Sequence, residues 1–263
     1  MKQMIILLTG ISVGVSFISP CVAQTPDGPR LWRTGTAYLL PHGAWEIGVF
    51  EPARYGFRDY LEVEAHPLLF FVIPNFGIKW DHGYVGDLKI ASRHTLLYPS
   101  ILLNLLARKG TGGIISPEFH IPPMVEFYHE FLASAPIVGS TLLTGKVGLS
   151  LAKRMGAIDE RSTIDLPLVY PRLAVFYHGF GLRGGIDLEG NLISHLRFLV
   201  DADLFFIPGV EFGRALESKA LLYWHAGEST RLCLGAKVTY GEYPFGNQWH
   251  LLLPLVDLQF SWR

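Results

Sequence analysis

Tyr60-Leu61-Glu62-Val63-Glu64-Ala65-His66 alternates along its whole length: Leu61, Val63 and Ala65 fall on one side of an extended chain, and Tyr60, Glu62, Glu64 and His66 on the other. Successive side chains of a strand point to opposite faces, so the stretch predicts a β-strand with one apolar and one charged face. Asn75-Phe76-Gly77-Ile78-Lys79-Trp80-Asp81 repeats the pattern, and so does Asp87-Leu88-Lys89-Ile90-Ala91-Ser92-Arg93. Further along, Arg183, Gly185 and Asp187 oppose Leu182, Ile186 and Leu188, while Arg197, Asp201 and Asp203 oppose Phe198, Val200, Ala202 and Leu204. Arg231, Cys233 and Lys237 likewise oppose Leu232, Leu234 and Val238. Asp81-His82-Gly83, Glu189-Gly190-Asn191, Pro208-Gly209 and Ala226-Gly227-Glu228-Ser229 separate these runs, and such short connections suit antiparallel neighbours. The expectation is an all-β, single antiparallel transmembrane barrel of about twelve strands, within a range of roughly ten to fourteen.

Composition fits. Of 263 residues 49% are apolar and 17% charged, which excludes a disordered chain. With 22 basic and 23 acidic residues there is no basic stripe, so no nucleic-acid partner is expected. Residues 1–23 read as a secretory signal peptide: Lys2 precedes an apolar run, and Cys21-Val22-Ala23 sets small residues before a cut at Gln24. A membrane-spanning helix there fails on length and on Pro20. Residues 24–34, with Pro26, Gly28 and Pro29, are expected to form an irregular periplasmic arm, and residues 35–263 the barrel domain. Cleavage leaves Cys233 as the single cysteine, so neither a disulfide nor a thiol pair for zinc is expected.

Alternation alone also fits a soluble barrel binding a small apolar ligand, whose greasy face would point inward. A membrane barrel inverts this. The polar face here is sparse and rich in glycine (Gly48, Gly77, Gly148, Gly181, Gly185, Gly213, Gly235), as a crowded lumen would be. The apolar face carries Trp45, Phe76, Trp80, Tyr177, Phe198, Trp224, Tyr240, Trp249, Phe260 and Trp262, mostly near strand ends, where interfacial girdles lie.

Leu255-Val256-Asp257-Leu258-Gln259-Phe260-Ser261-Trp262 resembles the closing strand of bacterial outer-membrane β-barrel proteins, although Trp262 is penultimate and Arg263 last. The resemblance implies an outer-membrane location, a lipid-facing row of Val256, Leu258, Phe260 and Trp262 that the insertion machinery reads, and closure against the first strand. Residues 45–56 look like that first strand. Ser100-Ile101-Leu102-Leu103-Asn104-Leu105-Leu106-Ala107-Arg108-Lys109-Gly110 reads instead as a short helical insert, with Ser100 as N-cap and Gly110 as stop. Residues 125–132 fit either a strand or an inserted helix.

The ten histidines form no HxH or HExxH pair, so no metal or other cofactor is expected. No GxSxG turn marks a serine nucleophile, and Gly110-Thr111-Gly112-Gly113 lacks the Gly-Lys-Ser/Thr of a phosphate loop. The expected protein is not an enzyme; the alternative of a lipid-edge hydrolase would draw on Ser140, Ser150 or Ser194. The expected site is a charge cluster lining the lumen: Glu62, Glu64, His66, Lys79, Asp87, Lys89, Arg93, Arg183, Asp187, Arg197, Asp201, Arg231 and Lys237. Arg172 and Asp203 extend it. Buried charges need partners or water, so the cluster predicts either a hydrated filter for a small polar solute or a salt-bridged filling. A small passive channel in membrane lipid is the leading expectation, and a plugged structural or docking barrel the alternative.

Overall fold

The computed structural model describes residues 32–33, 35–110, 115–159, 162, 174–209, 213–243 and 246–263. The expected export segment, most of the 24–34 arm and Arg172 lie outside these. Twelve strands close a barrel in which every neighbour is antiparallel: β1 (Trp45–Gly48), β2 (Ala53–Arg58), β3 (Leu61–Ala65), β4 (Asn75–Val85), β5 (Leu88–Leu97), β6 (Met124–Val138), β7 (Thr141–Arg154), β8 (Phe180–Ile193), β9 (Leu196–Phe206), β10 (Arg214–His225), β11 (Thr230–Tyr243) and β12 (Gly246–Trp262). Two short helices interrupt them, α1 (Ser100–Leu106) and α2 (Val175–His178). The last strand closes on the first in the register Trp45↔Trp262 to Gly48↔Gln259, and the Trp45 ring stacks on Tyr55 and on Trp262.

Sidedness is inverted relative to a soluble barrel. On β12, Asp257, Gln259 and Ser261 are 6%, 3% and 2% exposed, whereas Val256, Leu258, Phe260 and Trp262 are 56%, 41%, 40% and 49% exposed. The same holds on β4, where Lys79 is fully buried between exposed Phe76 and Trp80. Such a wall closes on itself and turns its apolar side chains outward, which is what a hydrocarbon environment demands. The chain thus has the architecture of bacterial outer-membrane barrels, with the strand count the alternation predicts.

The two ends differ. At the end holding Trp45 and Trp262, the connections are tight: residues 59–60, 86–87, 139–140, 194–195 and 226–229. The opposite end carries the long connections 66–74, 98–123 and 155–179. There an apolar cluster of Ile73, Leu97, Leu103, Ile121, Met124, Val175 and Phe176 packs both helices against strand ends and described residues of these connections.

Several expectations need correcting. Residues 45–56 form two strands rather than one, because Pro52 removes a ladder donor at the turn. β1, β2 and β3 are only 4, 6 and 5 residues long, so the wall is low there, and exposed Phe50, Leu68, Phe70 and Phe71 continue its apolar surface. Ser100 does not cap α1: Pro99 is the cap residue, the helix ends at Leu106, and the Ser100 hydroxyl donates to the Pro122 carbonyl while accepting from the Met124 amide. Residues 125–132 are strand, within β6. Tyr177 belongs to α2 and packs against the apolar cap instead of the outer wall.

The largest correction concerns the start of the chain. The wall begins at Trp45; residues 36–40, all buried, run inside the barrel and lead to a turn at 41–44 where His42 is exposed. The Ala37 amide donates to Ser134 Oγ (2.8 Å), the Tyr38 carbonyl accepts from Lys79 Nζ (2.7 Å), and the Leu40 amide donates to Glu62 Oε2 (2.8 Å). Ala37 and Leu39 pack on Ala91 and Leu132 of the inner wall. Gly56 permits the close passage: a Cβ there would sit 2.0 Å from the Pro41 carbonyl oxygen, and the Gly43 and Gly56 backbones are hydrogen-bonded.

Candidate functional site

The interior is built from charges that cancel in pairs. Alternation turns Glu46, Arg54, Glu62 and Lys79 inward from four consecutive strands. The Arg54 guanidinium grips Glu62 through two nitrogens (2.7 and 2.8 Å) and reaches Glu46 at 2.6 Å. A bidentate fork of this kind offsets part of the desolvation that burial imposes. Lys79 sits beside this group with its ammonium on the Tyr38 carbonyl.

A second chain of ion pairs crosses the barrel. Arg93 meets Glu64 (3.5 Å) and Glu130 (3.3 Å); Glu130 meets Arg183 (2.7 Å); Arg183 meets Asp203 (2.5 Å); and Asp203 meets Lys146 (2.9 Å), which also pairs with Asp187. The Tyr128 hydroxyl donates to Glu130 at 2.9 Å. Around the remaining wall stand Lys89–Asp81 (2.6 Å), Arg197–Glu189 (3.1 Å), Lys219–Asp201 (3.3 Å) and Lys237–Glu217 (2.6 Å). Arg231 donates to Gln259 and lies over the Trp32 and Tyr223 rings at 4.4 and 4.1 Å.

The structure therefore brings Glu62, Glu64, Lys79, Lys89, Arg93, Arg183, Asp187, Arg197, Asp201, Arg231 and Lys237 to the inner wall, as alternation predicts. Two candidates fall elsewhere. Asp87 is exposed in the β4–β5 turn, where Gly86 reverses the chain at φ +60° and strand parity no longer applies. His66 lies just beyond β3, its ring Nε2 2.9 Å from the Phe50 carbonyl oxygen. Glu46, Arg54, Glu130 and Lys146 were not singled out from sequence, although each falls on the polar face of an alternating run. Rings of one sign are a common way for charges to select a solute. Here opposite charges meet in pairs, and between them lies a cavity of about 20 Å³ lined by Trp32, Gly35, Glu189, Arg197, Tyr223 and Arg231, among others. That is room for about one water molecule.

The outer wall holds a polar cluster of its own. Ser92 and His94 point outward from β5, beside Trp80 of β4 and Phe131 and His129 of β6. The Ser92 hydroxyl is met by two rings, His82 Nε2 at 2.7 Å and His94 Nε2 at 2.9 Å. His94 Nδ1 in turn lies 2.6 Å from His129 Nδ1, and the His129 ring stands edge-on to Phe127 at 4.1 Å. A bulge places His82: the β4–β5 register shifts between Asp81 and Gly83, inserting one extra residue opposite Ala91 and Ile90, from which its ring reaches Ser92. The sequence signal was a serine on the apolar side of the 87–93 run, in line with Leu88 and Ile90. The serines considered from sequence have no such company: Ser150 faces inward opposite Tyr128, while Ser140 and Ser194 occupy tight turns. Among the described residues no group of three side chains has the arrangement of a metal site.

No protein-family model matches the chain, and no curated protein matches it in sequence. Among solved structures it is similar to a bacterial polysaccharide outer membrane secretin, at 8% identity and TM-score 0.45, covering 84% of this chain and 70% of that one. It is also similar to OmpT, an outer membrane protein of Vibrio cholerae, at 8% identity and TM-score 0.41, covering 80% of this chain and 64% of that one. The outer membrane channel DcaP of Acinetobacter baumannii aligns at 8% identity and TM-score 0.38, covering 80% of this chain and 62% of that one. The chain thus spans less than two thirds of the latter two proteins. At these scores the likeness carries no argument about activity.

Proposed function

We propose that this protein is an outer-membrane barrel with a filled interior, a rigid membrane-embedded component in place of an open pore. The observation that supports it is the course of residues 36–40, hydrogen-bonded inside the barrel to Glu62, Lys79 and Ser134 from three different wall strands. Ion pairs on the inner wall, among them Arg54–Glu62, Glu130–Arg183 and Asp203–Lys146, stand around it. The exposed apolar wall supports the membrane location, and the short-turn end faces the periplasm if the usual division of short turns and long loops holds. The outward row Val256, Leu258, Phe260 and Trp262 is the segment the insertion machinery would read.

Conductance tests the reading. The full chain, folded into a planar bilayer, is expected to be silent. Removing residues 35–40 is expected to produce conductance steps or loss of stable folding. Steps from the unaltered protein would return the function to a channel for a small polar solute, with residues 36–40 as a movable gate.

A further inference from the structure

We propose that Ser92 is a nucleophile at the lipid-facing wall, activated by His94 and His129, and that it acts on the acyl esters of membrane lipids. The inference goes beyond the filled-barrel reading but rests on the same lipid-facing assignment of the outer wall.

Three features carry it. The first is hydrogen counting. A serine hydroxyl has one proton and two lone pairs, so at most one of the two rings on Ser92 accepts from it and the other donates to Oγ. Two Nδ1 atoms 2.6 Å apart likewise require one N–H and one lone pair. If His94 accepts from Ser92 at Nε2, its proton sits on Nδ1 and is given to His129, while His82 donates to Ser92 Oγ. This set, one of two that satisfy the contacts, gives the order nucleophile, base, orienting group that acyl transfer needs.

The second is position. The outer wall is mostly apolar, and polar groups facing hydrocarbon are costly unless used or satisfied locally. Ser218, another outward serine, satisfies itself on the Asp201 carbonyl, its own neighbour strand. Ser92 instead faces imidazoles. The third is the bulge between Asp81 and Gly83, since such an inserted residue re-aims a side chain at a defined point of the wall.

In the reaction, Ser92 Oγ bonds to the ester carbonyl carbon while its proton passes to His94 Nε2. The carbon–oxygen bond to the glycerol then breaks, and the departing oxygen takes that proton. Water, deprotonated by His94, attacks the acyl-serine; the fatty acid leaves and Ser92 regains its proton. Ser92 is 2% exposed, beneath Trp80, Phe131 and the exposed His82. Substrate access therefore requires the His82 ring to swing aside, which makes His82 a gate and His94 the base.

The test uses the full chain folded into vesicles of phosphatidylethanolamine and phosphatidylglycerol. Heat-dependent gel mobility reports insertion, fatty-acid release reports turnover, and a fluorophosphonate labels the activated serine. Expected are turnover and labelling that Ser92→Ala abolishes, that His94→Ala lowers about a thousandfold, and that Ser218→Ala leaves intact. His82→Ala should keep activity within about tenfold of the unaltered protein, because a base contributes more than a gate. His129→Asn, which retains an acceptor for His94, should keep more activity than His129→Ala, a difference that a packing role would not produce. An inserted protein that neither releases fatty acid nor takes the label overturns the proposal and leaves the barrel reading standing. Failure to insert overturns the lipid-facing assignment, and the proposal with it.

Discussion

Two polar clusters face opposite sides of one wall. Inside, Arg54, Glu46 and Glu62 are full charges, 2%, 4% and 0% exposed, and each is bound to an opposite charge. Outside, His82, Ser92, His94 and His129 can all be neutral, and among the described residues their side chains hydrogen-bond to one another. The difference follows from the surroundings. A closed interior tolerates ions because it supplies fixed partners, whereas hydrocarbon supplies none and selects groups that can be uncharged. A matched ion pair holds geometry; a chain of hydroxyl and imidazole groups moves protons. The inner cluster is thus suited to stability and the outer one to chemistry.

That division can be broken or sharpened by substitution. The largest effect on stability is expected from Arg54→Met, which strands Glu46 and Glu62 in the interior; denaturant unfolding in detergent should register a loss of about 3–5 kcal/mol. Full stability in that variant would mean the carboxylates are wetter than the structure indicates. Next comes Gly56→Ala, whose methyl group would push against the backbone of the luminal segment. A loss of about 1–3 kcal/mol is expected, together with the appearance of bilayer conductance if the segment is displaced. Ser92→Ala removes a buried hydroxyl shared by two rings and should cost about 1–2 kcal/mol, while ending ester turnover. A large unfolding shift there would assign the outer cluster to structure. The smallest effect is expected from Lys219→Ala, since its side chain is 36% exposed and pairs with Asp201 at 3.3 Å; the change should stay within about 0–1 kcal/mol. That variant sets the scale for an ion pair at the wet margin of the same lumen.

Much of the fold is legible in the residue order because it depends on a local rule. Alternation in the 60–66, 75–81 and 196–204 runs places each side chain on a face without knowledge of its neighbours. The same rule assigns Val256, Leu258, Phe260 and Trp262 to the exterior. It fails where the backbone leaves the strand, as at Asp87 beyond Gly86, and where a proline divides one apparent strand into two, as at Pro52. It is also silent about segments without periodicity. Residues 36–40 carry no pattern that distinguishes a luminal course from a periplasmic one; their amides become committed only when Glu62 and Ser134 are brought to them by distant strands. The inner charges were readable as a set, but not as pairs.

Which way each residue faces, and hence the inverted barrel and its closing strand, came from order alone, because a period of two is written into every strand. Which residues meet was decided by tertiary structure. Contact between Arg93 and Glu130, or His94 and His129, depends on strand register, and His82 reaches Ser92 only through one inserted residue. Register and bulges are properties of two strands together, so neither strand read singly contains them.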